Sequence, residues 1–280
     1  MRKEQSTEGL RNVLEPYKPE STAWVLFKVS SYERLVQMQR GLLYFNSLEF
    51  FSRLEEATPN PLRNDQTEAV YERFCAGQHG RYLGKLLLEI GEGDERKTFD
   101  AGDEAVLTVG VPNPSNVMVF CMSALADDES GKMPNEVNGQ LFFDPRLRQF
   151  GEHLLVVTSG AEFFRRINRA IAETDGLYGG DYFQGGAGLV QYVDIENHSG
   201  HVGLFRKDLV YEWQREYRIA LGAKGEVLNE KGALELRIGD ISDISEIMEI
   251  KPLIDNPVTV RRERGRIVEG VFVPDSDGLT

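Results

Sequence analysis

The most constraining feature of the chain is a run of ten residues, 211–220, in which aromatic and apolar residues alternate with polar ones (YEWQREYRIA). Side chains two positions apart project from the same side of a β-strand, so the alternation predicts a strand with one anchored face and one polar face. The polar face is predicted to carry Glu212, Gln214, Glu216 and Arg218. Two carboxylates, an amide and a guanidinium exceed what solubility requires. We therefore expect this polar face to be either part of a catalytic site or a set of structural salt bridges.

Composition limits the kinds of partner that the protein can have. The chain of 280 residues is long enough for one large domain or two small ones, and its 41% hydrophobic and 28% charged residues are ordinary for a globular protein with a real core. The net charge of -13 argues against a broad phosphate-binding surface. A local basic pocket remains compatible with it.

Cysteine usage and hydropathy bear on the compartment. Two cysteines, Cys75 and Cys121, lie far apart, which gives neither a disulfide framework nor a zinc pattern. The first residues lack an apolar signal segment, and no apolar run is long enough to span a bilayer. We expect a cytoplasmic protein with no membrane partner.

The order of the predicted elements indicates the fold class. Residues 1–22 are polar and predict a flexible N-terminal arm, followed by a single domain over 23–280. Strands dominate and a few amphipathic helices interrupt them, for example at 161–174. Because regular strand–helix alternation is missing, we predict an α+β fold. Residues 83–90 and 105–111 are predicted to form a hairpin, and 57–68 a long loop, which in compact domains is usually either functional or disordered.

Several familiar catalytic signatures are absent from the sequence. There is no GxxxxGK[ST] phosphate loop and no GxSxG elbow, and the glycines of 176–188 lack the context of a dinucleotide-binding turn. His198 and His201 are three residues apart, but no third ligand accompanies them. No metal site is predicted.

What remains is a set of polar residues on different predicted strands, which can converge on one cleft although they are far apart in sequence. The set consists of Lys28, Tyr44, Ser123, Gln214 and Glu216. Each also has a structural explanation. The lysine can be a strand-end cation in solvent, the tyrosine a core-edge aromatic, the serine a small filler, and the glutamate a partner of Arg215 or Arg218.

Four short motifs, taken in order, resemble a known pattern. They are LLYF at 42–45, RND with a following acid at 63–68, FCMS at 120–123 and QREYR at 214–218. This order is similar to that of a widespread bacterial family of uncharacterised proteins with LYF, ND, CFS and ExEYR motifs. Here Met122 replaces the usual aromatic residue and Gln214 replaces the first acid. The resemblance covers about Trp24 to Ala220.

The spacing also resembles that of ADP-ribosyltransferases. The resemblance implies split, mainly antiparallel sheets with NAD bound as a substrate. It implies Glu216 as the catalytic carboxylate, which stabilises the charge that develops on the ribose, and Gln214 as its helper.

The same resemblance implies roles for the other candidates. The implied NAD-binding residues are Lys28, Tyr44, Ser123 and Arg53. Lys28 or Arg53 would hold a phosphate, Tyr44 would stack on nicotinamide, and either Ser123 or Tyr44 would fill the middle position. Lys28 stands where the family has an arginine, and a lysine lacks the bidentate phosphate contact. In the long loop, Asp65 and Glu68 would position the acceptor.

Three hypotheses for the function follow. The first is a cytoplasmic ADP-ribosyltransferase that modifies a macromolecule, as a toxin or anti-phage effector, with an antitoxin as a candidate partner. The second is a non-enzymatic module whose charged strand is a structural ion-pair face and whose acidic surface docks a basic partner. The third is a metal-dependent nuclease that uses Asp65, Glu68 and Glu216.

Overall fold

A computed structural model describes residues 23–57, 67–76, 85, 87–102, 104–128, 132–179, 185–261, 265–268 and 271–274. The predicted N-terminal arm, residues 1–22, lies outside the described residues, and so does Asp65.

Strands predominate over helices in these ranges. The helices are α1 (Tyr32–Gln39), α2 (Leu48–Ala57), α3 (Gly160–Glu173) and α4 (Lys251–Asp255). The strands are β1 (Ala23–Ser30), β2 (Leu42–Ser47), β3 (Val70–Cys75), β4 (Leu87–Ile90), β5 (Lys97–Asp100), β6 (Val106–Gly110), β7 (Val117–Ala126), β8 (Glu136–Val137), β9 (Gln140–Leu141), β10 (His153–Val157), β11 (Leu177–Tyr178), β12 (Gly186–Leu189), β13 (Gln191–Val193), β14 (Gly200–His201), β15 (Arg206–Asp208), β16 (Glu216–Ala223), β17 (Leu234–Arg237), β18 (Ser245–Glu249), β19 (Val258–Thr259), β20 (Gly265–Val268) and β21 (Val271–Pro274). Within the described ranges, no helix is long and apolar enough to cross a membrane.

The centre of the molecule is a nine-stranded sheet. Its main path runs β11–β16–β7–β1–β10–β18, while β12 joins β16, and β2 joins both β7 and β17. The pairings within this sheet are antiparallel, and a separate small pair, β13 with β15, is parallel. The predicted α+β class with mainly antiparallel sheets is therefore confirmed.

One edge of β7 is shared by two strands, so the sheet forks there. Ser123 pairs with Glu216 of β16 on one side of β7 and with Phe27 of β1 on the other. Further along β7, Met118 and Val119 pair with β16 and also with the end of β2. Strands β1 and β2 therefore share the edge of β7 that faces away from β16, and the backbone around Cys121 lies between them.

The two faces of the sheet are covered differently. One face carries the largest core cluster, onto which α3 packs Phe163, Ile167 and Ile171 at helical spacing. The opposite face carries two smaller clusters, one around Phe205 and one around Trp213. Each large apolar side chain buried in this way stabilises the fold by roughly 1.5–3 kcal/mol. The predicted helix at 161–174 is confirmed within one residue at each end.

The predicted strand over 211–220 is wrong in its first half. Leu209–Gln214 is a 3₁₀ helix, whose start is capped by the Asp208 carboxylate, and β16 begins only at Glu216. Between them Arg215 adopts a left-handed conformation with φ 47°. Glu212 is exposed on the 3₁₀ helix and does not share the face of Glu216. Local capping and the left-handed residue override the alternating pattern.

The predicted hairpin of 83–90 with 105–111 is also wrong. Strand β4 pairs with β5, which lies within the connection that the prediction left unstructured. Strand β6 pairs with β3 instead. Apolar runs of this length predict that strands exist but not which strands pair.

Candidate functional site

The polar centre of the molecule is a closed ring of four buried charged side chains, here called the ion-pair ring: Glu68, Lys207, Glu216 and Arg218. Arg218 contacts Glu216 through Nε at 2.6 Å and Glu68 through a terminal nitrogen at 2.6 Å. Lys207 Nζ lies 2.9 Å from Glu216 Oε2 and 3.2 Å from Glu68 Oε1. Acids and bases alternate around the ring, so its formal charge is zero.

The ring is almost inaccessible to solvent. The exposed fractions are 8% for Glu68, 6% for Lys207, 5% for Glu216 and 1% for Arg218. Removing ions from water costs several kcal/mol each, and only close opposite charges and further hydrogen bonds offset that cost. Arg218 also donates to the Leu204 carbonyl oxygen at 2.7 Å. These contacts join the first half of β16 to the segment before β3, to β15 and to the segment before β15.

Local structure explains how these side chains meet. Glu216 and Arg218 are two apart in β16 and share a face, and Lys207 is supplied by β15. The left-handed backbone at Arg215 turns the chain so that Gln214 and Glu216 both reach Lys207, with Gln214 Oε1 at 3.2 Å from its Nζ. The Glu216 amide donates to the Tyr192 hydroxyl at 2.9 Å, and Tyr192 is the register partner of Lys207.

The ring shifts the pKa values of Glu216 and Arg218 in opposite directions. Burial alone would raise the pKa of Glu216, but the charges of Arg218 and Lys207 outweigh burial and hold that pKa well below the ordinary value. For Arg218, burial acts to lower the pKa, and Glu216 and Glu68 raise it well above the ordinary value. Glu216 is therefore an ionised carboxylate at neutral pH.

Beside the ring, the sheet is incompletely covered. Ser123 is the register partner of Glu216 and Cys121 that of Arg218, so these four residues share one face. Val117 and Val119 on the same face of β7 are fully buried, whereas Cys121 and Ser123 are partly exposed. This partly exposed place on the face, at Cys121 and Ser123, is here called the opening, and it lies next to Glu216, which is itself 5% exposed.

The thiol of Cys121 has little thiolate character. Although Cys121 as a residue is partly exposed, the surroundings of its sulfur are buried, and this burial, with the charge of Glu216 second, raises the pKa of the thiol. Nucleophilic attack requires the thiolate, so Cys121 is not an activated nucleophile at neutral pH.

Lys28 does not join this face. Its neighbour Phe27 is the register partner of Ser123, so Lys28 points to the other side of the sheet. There its Nζ lies 5.1 Å from the ring centre of Phe120 and donates to the Cys121 carbonyl oxygen, between β1 and β2. This oxygen faces the edge where the sheet forks. The lysine therefore donates a hydrogen bond to a backbone carbonyl oxygen at the fork, and it does not lie beside Glu216.

The remaining predicted residues are dispersed. Tyr44 is 37% exposed on β2, opposite Glu235 of β17. Arg53 lies on the exposed side of α2, where it pairs with Glu49 at 2.7 Å. Glu68 belongs to the ion-pair ring, not to a surface that faces an acceptor, and Asp65 lies outside the described residues. Of the predicted set, the structure brings together Ser123, Gln214, Glu216 and Glu68.

Two residues of the site, Lys207 and Tyr192, have no role in the sequence prediction, and Arg215, which it considers only as an ion-pair partner of Glu216, has a different role. Lys207 neutralises Glu216, Tyr192 accepts from its amide, and Arg215 supplies the turn that brings Gln214 near it. The sequence carries no signal for a left-handed arginine, because that conformation is uncommon outside glycine, asparagine and aspartate.

The structure offers no support for the nuclease hypothesis. Glu68 and Glu216 direct their oxygens at Arg218 and Lys207, which occupy the positions that a cation would need. Across the described ranges, no group of three or more histidine, cysteine, aspartate or glutamate side chains is placed to hold a metal ion. His198 Nε2 instead lies 2.9 Å from the carbonyl oxygen of His201.

Comparison with known proteins adds no further constraint: no family model, no curated protein and no solved structure matches this chain.

Proposed function

We propose that the protein is an NAD-dependent ADP-ribosyltransferase that modifies a macromolecule, with Glu216 as the catalytic carboxylate. The observation that carries the proposal is the juxtaposition of Ser123 and Glu216. They are register partners on adjacent central strands and share one face, on which Ser123 is partly exposed. The fork of β1 and β2 on β7 supports a split-sheet fold of the ADP-ribosyltransferase kind.

The charge state of Glu216 fits the chemistry. In this reaction the bond between nicotinamide and ribose breaks, and nicotinamide leaves as a neutral molecule with the bonding electron pair. Positive charge then develops on the ribose, and a fixed, ionised carboxylate stabilises it. A nucleophile of the acceptor, or water, forms the new bond to the same carbon and releases a proton. Glu216 is ionised and held in place by Arg218 and Lys207.

The neighbouring groups have supporting roles in this proposal. Ser123, partly exposed beside Glu216, would contact NAD in the opening, so we assign the middle position to Ser123 and not to Tyr44. Gln214 helps to fix Lys207. The biological roles that fit such an activity are those of a toxin or an anti-phage effector, with an antitoxin as partner.

Nicotinamide release from NAD, measured by chromatography with and without cell extract, tests the proposal. We expect release by the wild type and a loss of at least a hundredfold per folded molecule in Glu216→Gln. Glu68→Gln is the matched variant, because it neutralises another buried acid of the same ring. It should lose far less release per folded molecule than Glu216→Gln. Equal losses in the two variants, or no release by the wild type, would contradict the proposal.

A second candidate function is a non-enzymatic protein-binding module, and one observation favours it. Both carboxylate oxygens of Glu216 are engaged by cations, and the side chain is 5% exposed. In that case the ion-pair ring is purely structural, and Glu216→Gln and Glu68→Gln have the same effect, a loss of stability. The wild type would then neither release nicotinamide nor bind NAD in a calorimeter.

A further inference from the structure

The β4–β5 hairpin has one apolar face that the core does not cover. Leu88 and Phe99 are register partners, and Ile90 lies two residues after Leu88, so the three side chains share a side. Leu88 is 46% exposed, Phe99 50% and Ile90 63%, and none of the three belongs to a core cluster. These three residues are called the hairpin face below. Three large apolar side chains exposed side by side are typical of a contact surface.

The other side of the same hairpin is different in character. There Asp100 pairs with Lys85 at 2.7 Å, and Glu89 pairs with Arg96 at 3.1 Å. This side also carries Leu87, which is 53% exposed and is the register partner of Asp100. The two sides therefore differ in degree: one holds two ion pairs beside a single apolar residue, and the other holds three apolar residues beside Lys97. On the apolar side a shallow depression is lined by Ile90, Gly91, Glu95, Lys97 and Phe99.

The charge around the depression is acidic on balance, although Lys97, the register partner of Ile90, lies in its lining. The turn between the two strands carries Glu92, Asp94 and Glu95, all exposed. The ion pairs of the charged side leave this turn with three carboxylates close to the apolar side chains. A complementary ligand therefore has an apolar group for the depression and positive charge for the turn.

We propose that the hairpin face binds a segment of a partner protein in which apolar side chains are flanked by lysine or arginine. The face contains no residue of the ion-pair ring or of the opening beside Ser123. The proposal is thus independent of the reaction proposed above, and its test leaves that reaction untouched.

A fluorescein-labelled peptide, Lys-Lys-Leu-Phe-Leu-Lys-Lys, serves as the probe, with fluorescence anisotropy as the readout on the full chain. We expect saturable binding to the wild type, weakened at least tenfold by Ile90→Ser and by Phe99→Ser. Val137→Ser is the matched control, since Val137 is an equally exposed apolar residue on β8, at 59%. It should bind the probe as the wild type does. All three positions are exposed, so melting temperatures should stay unchanged.

Two further arms decide what the face recognises. Replacing the lysines of the probe by aspartates should abolish binding, and replacing its apolar residues by serines should abolish it too. No binding of the lysine probe, or equal binding by all variants, overturns the proposal. Sedimentation velocity that shows dimerisation of the wild type, lost in Ile90→Ser and Phe99→Ser, also overturns it by assigning the face to a second copy.

Discussion

At the scale of single residues, the ion-pair ring makes Glu216 responsible for two properties at once. Its carboxylate balances Arg218 and Lys207, and it is the group on which the proposed chemistry depends. A buried charge that loses its partner costs about 3–5 kcal/mol, more than most substitutions. Stability and activity must therefore be measured separately in any variant of this residue.

Glu216→Gln should lower the free energy of unfolding by about 3 kcal/mol at pH 7, because Arg218 and Lys207 lose half of their buried negative charge. Urea unfolding followed by tryptophan fluorescence measures the change. Glu33→Gln, an exposed glutamate of α1, is the control and should change the free energy by less than about 0.5 kcal/mol. Similar effects of the two substitutions would mean that the ring is not closed in solution.

The same residue gives the protein an acid-sensitive component of stability. Folding lowers the pKa of Glu216, so its contribution is fully present above the ordinary glutamate pKa of about 4.3 and is lost as the pH falls toward the lower folded value. Glutamine does not titrate. The stability difference between wild type and Glu216→Gln, from urea unfolding at several pH values between 7 and 3, should therefore shrink below about pH 4. A difference that stays constant over this range contradicts the assignment.

At the scale of elements, the start of β16 depends on one unusual backbone conformation. Arg215 has φ 47°, which costs a non-glycine residue roughly 1–2 kcal/mol, and its carbonyl oxygen accepts from Ala124 of β7 at 2.8 Å. Its guanidinium donates to the Pro134 carbonyl oxygen. These contacts stabilise the strained conformation, which brings Gln214 and Glu216 to Lys207.

Arg215→Gly should be more stable than Arg215→Ala by about 1 kcal/mol, because both lose the guanidinium but only glycine adopts the left-handed conformation without strain. Arg169 of α3 is the matched control. There, in an exposed helix interior, the order should reverse, with glycine about 1 kcal/mol less stable than alanine. Thermal unfolding of the four variants measures both differences. If alanine were the more stable variant at both positions, Arg215 would not be left-handed.

Local signals in the sequence predict the elements better than they predict the partners. The spacing of Phe163, Ile167 and Ile171 predicts α3, because that helix buries one stripe on the sheet. The alternation at 211–220 predicts a strand but misses the 3₁₀ helix. The Asp208 carboxylate caps that helix through one hydrogen bond from the Val210 amide, and one hydrogen bond from the Arg215 amide to the Glu212 carbonyl oxygen closes it; an alternating pattern indicates neither bond. The pairing of β3 with β6 joins segments that are far apart in sequence, and hydrophobic periodicity carries no information about such pairings.

At the scale of the whole molecule, the candidate site is partly visible in the sequence. Gln214 and Glu216 stand out as neighbours on a polar strand, and the structure joins them to Ser123 of β7 and to Glu68. The face on which Lys28 lies depends on the register of β1 against β7, and the sequence does not specify that register. The burial of Glu216 follows from Lys207 and Glu68, which approach from outside the sheet.

The central claim is that NAD binds at the opening beside Ser123 and Glu216. Titration of NAD in an isothermal calorimeter tests it most directly, with Ser123→Leu as the variant that fills the opening and Val137→Ser as the exposed control. We predict saturable heat from the wild type and the control, and at least tenfold weaker binding by Ser123→Leu at an unchanged melting temperature. No heat from the wild type, or equal affinity in Ser123→Leu, would contradict the claim.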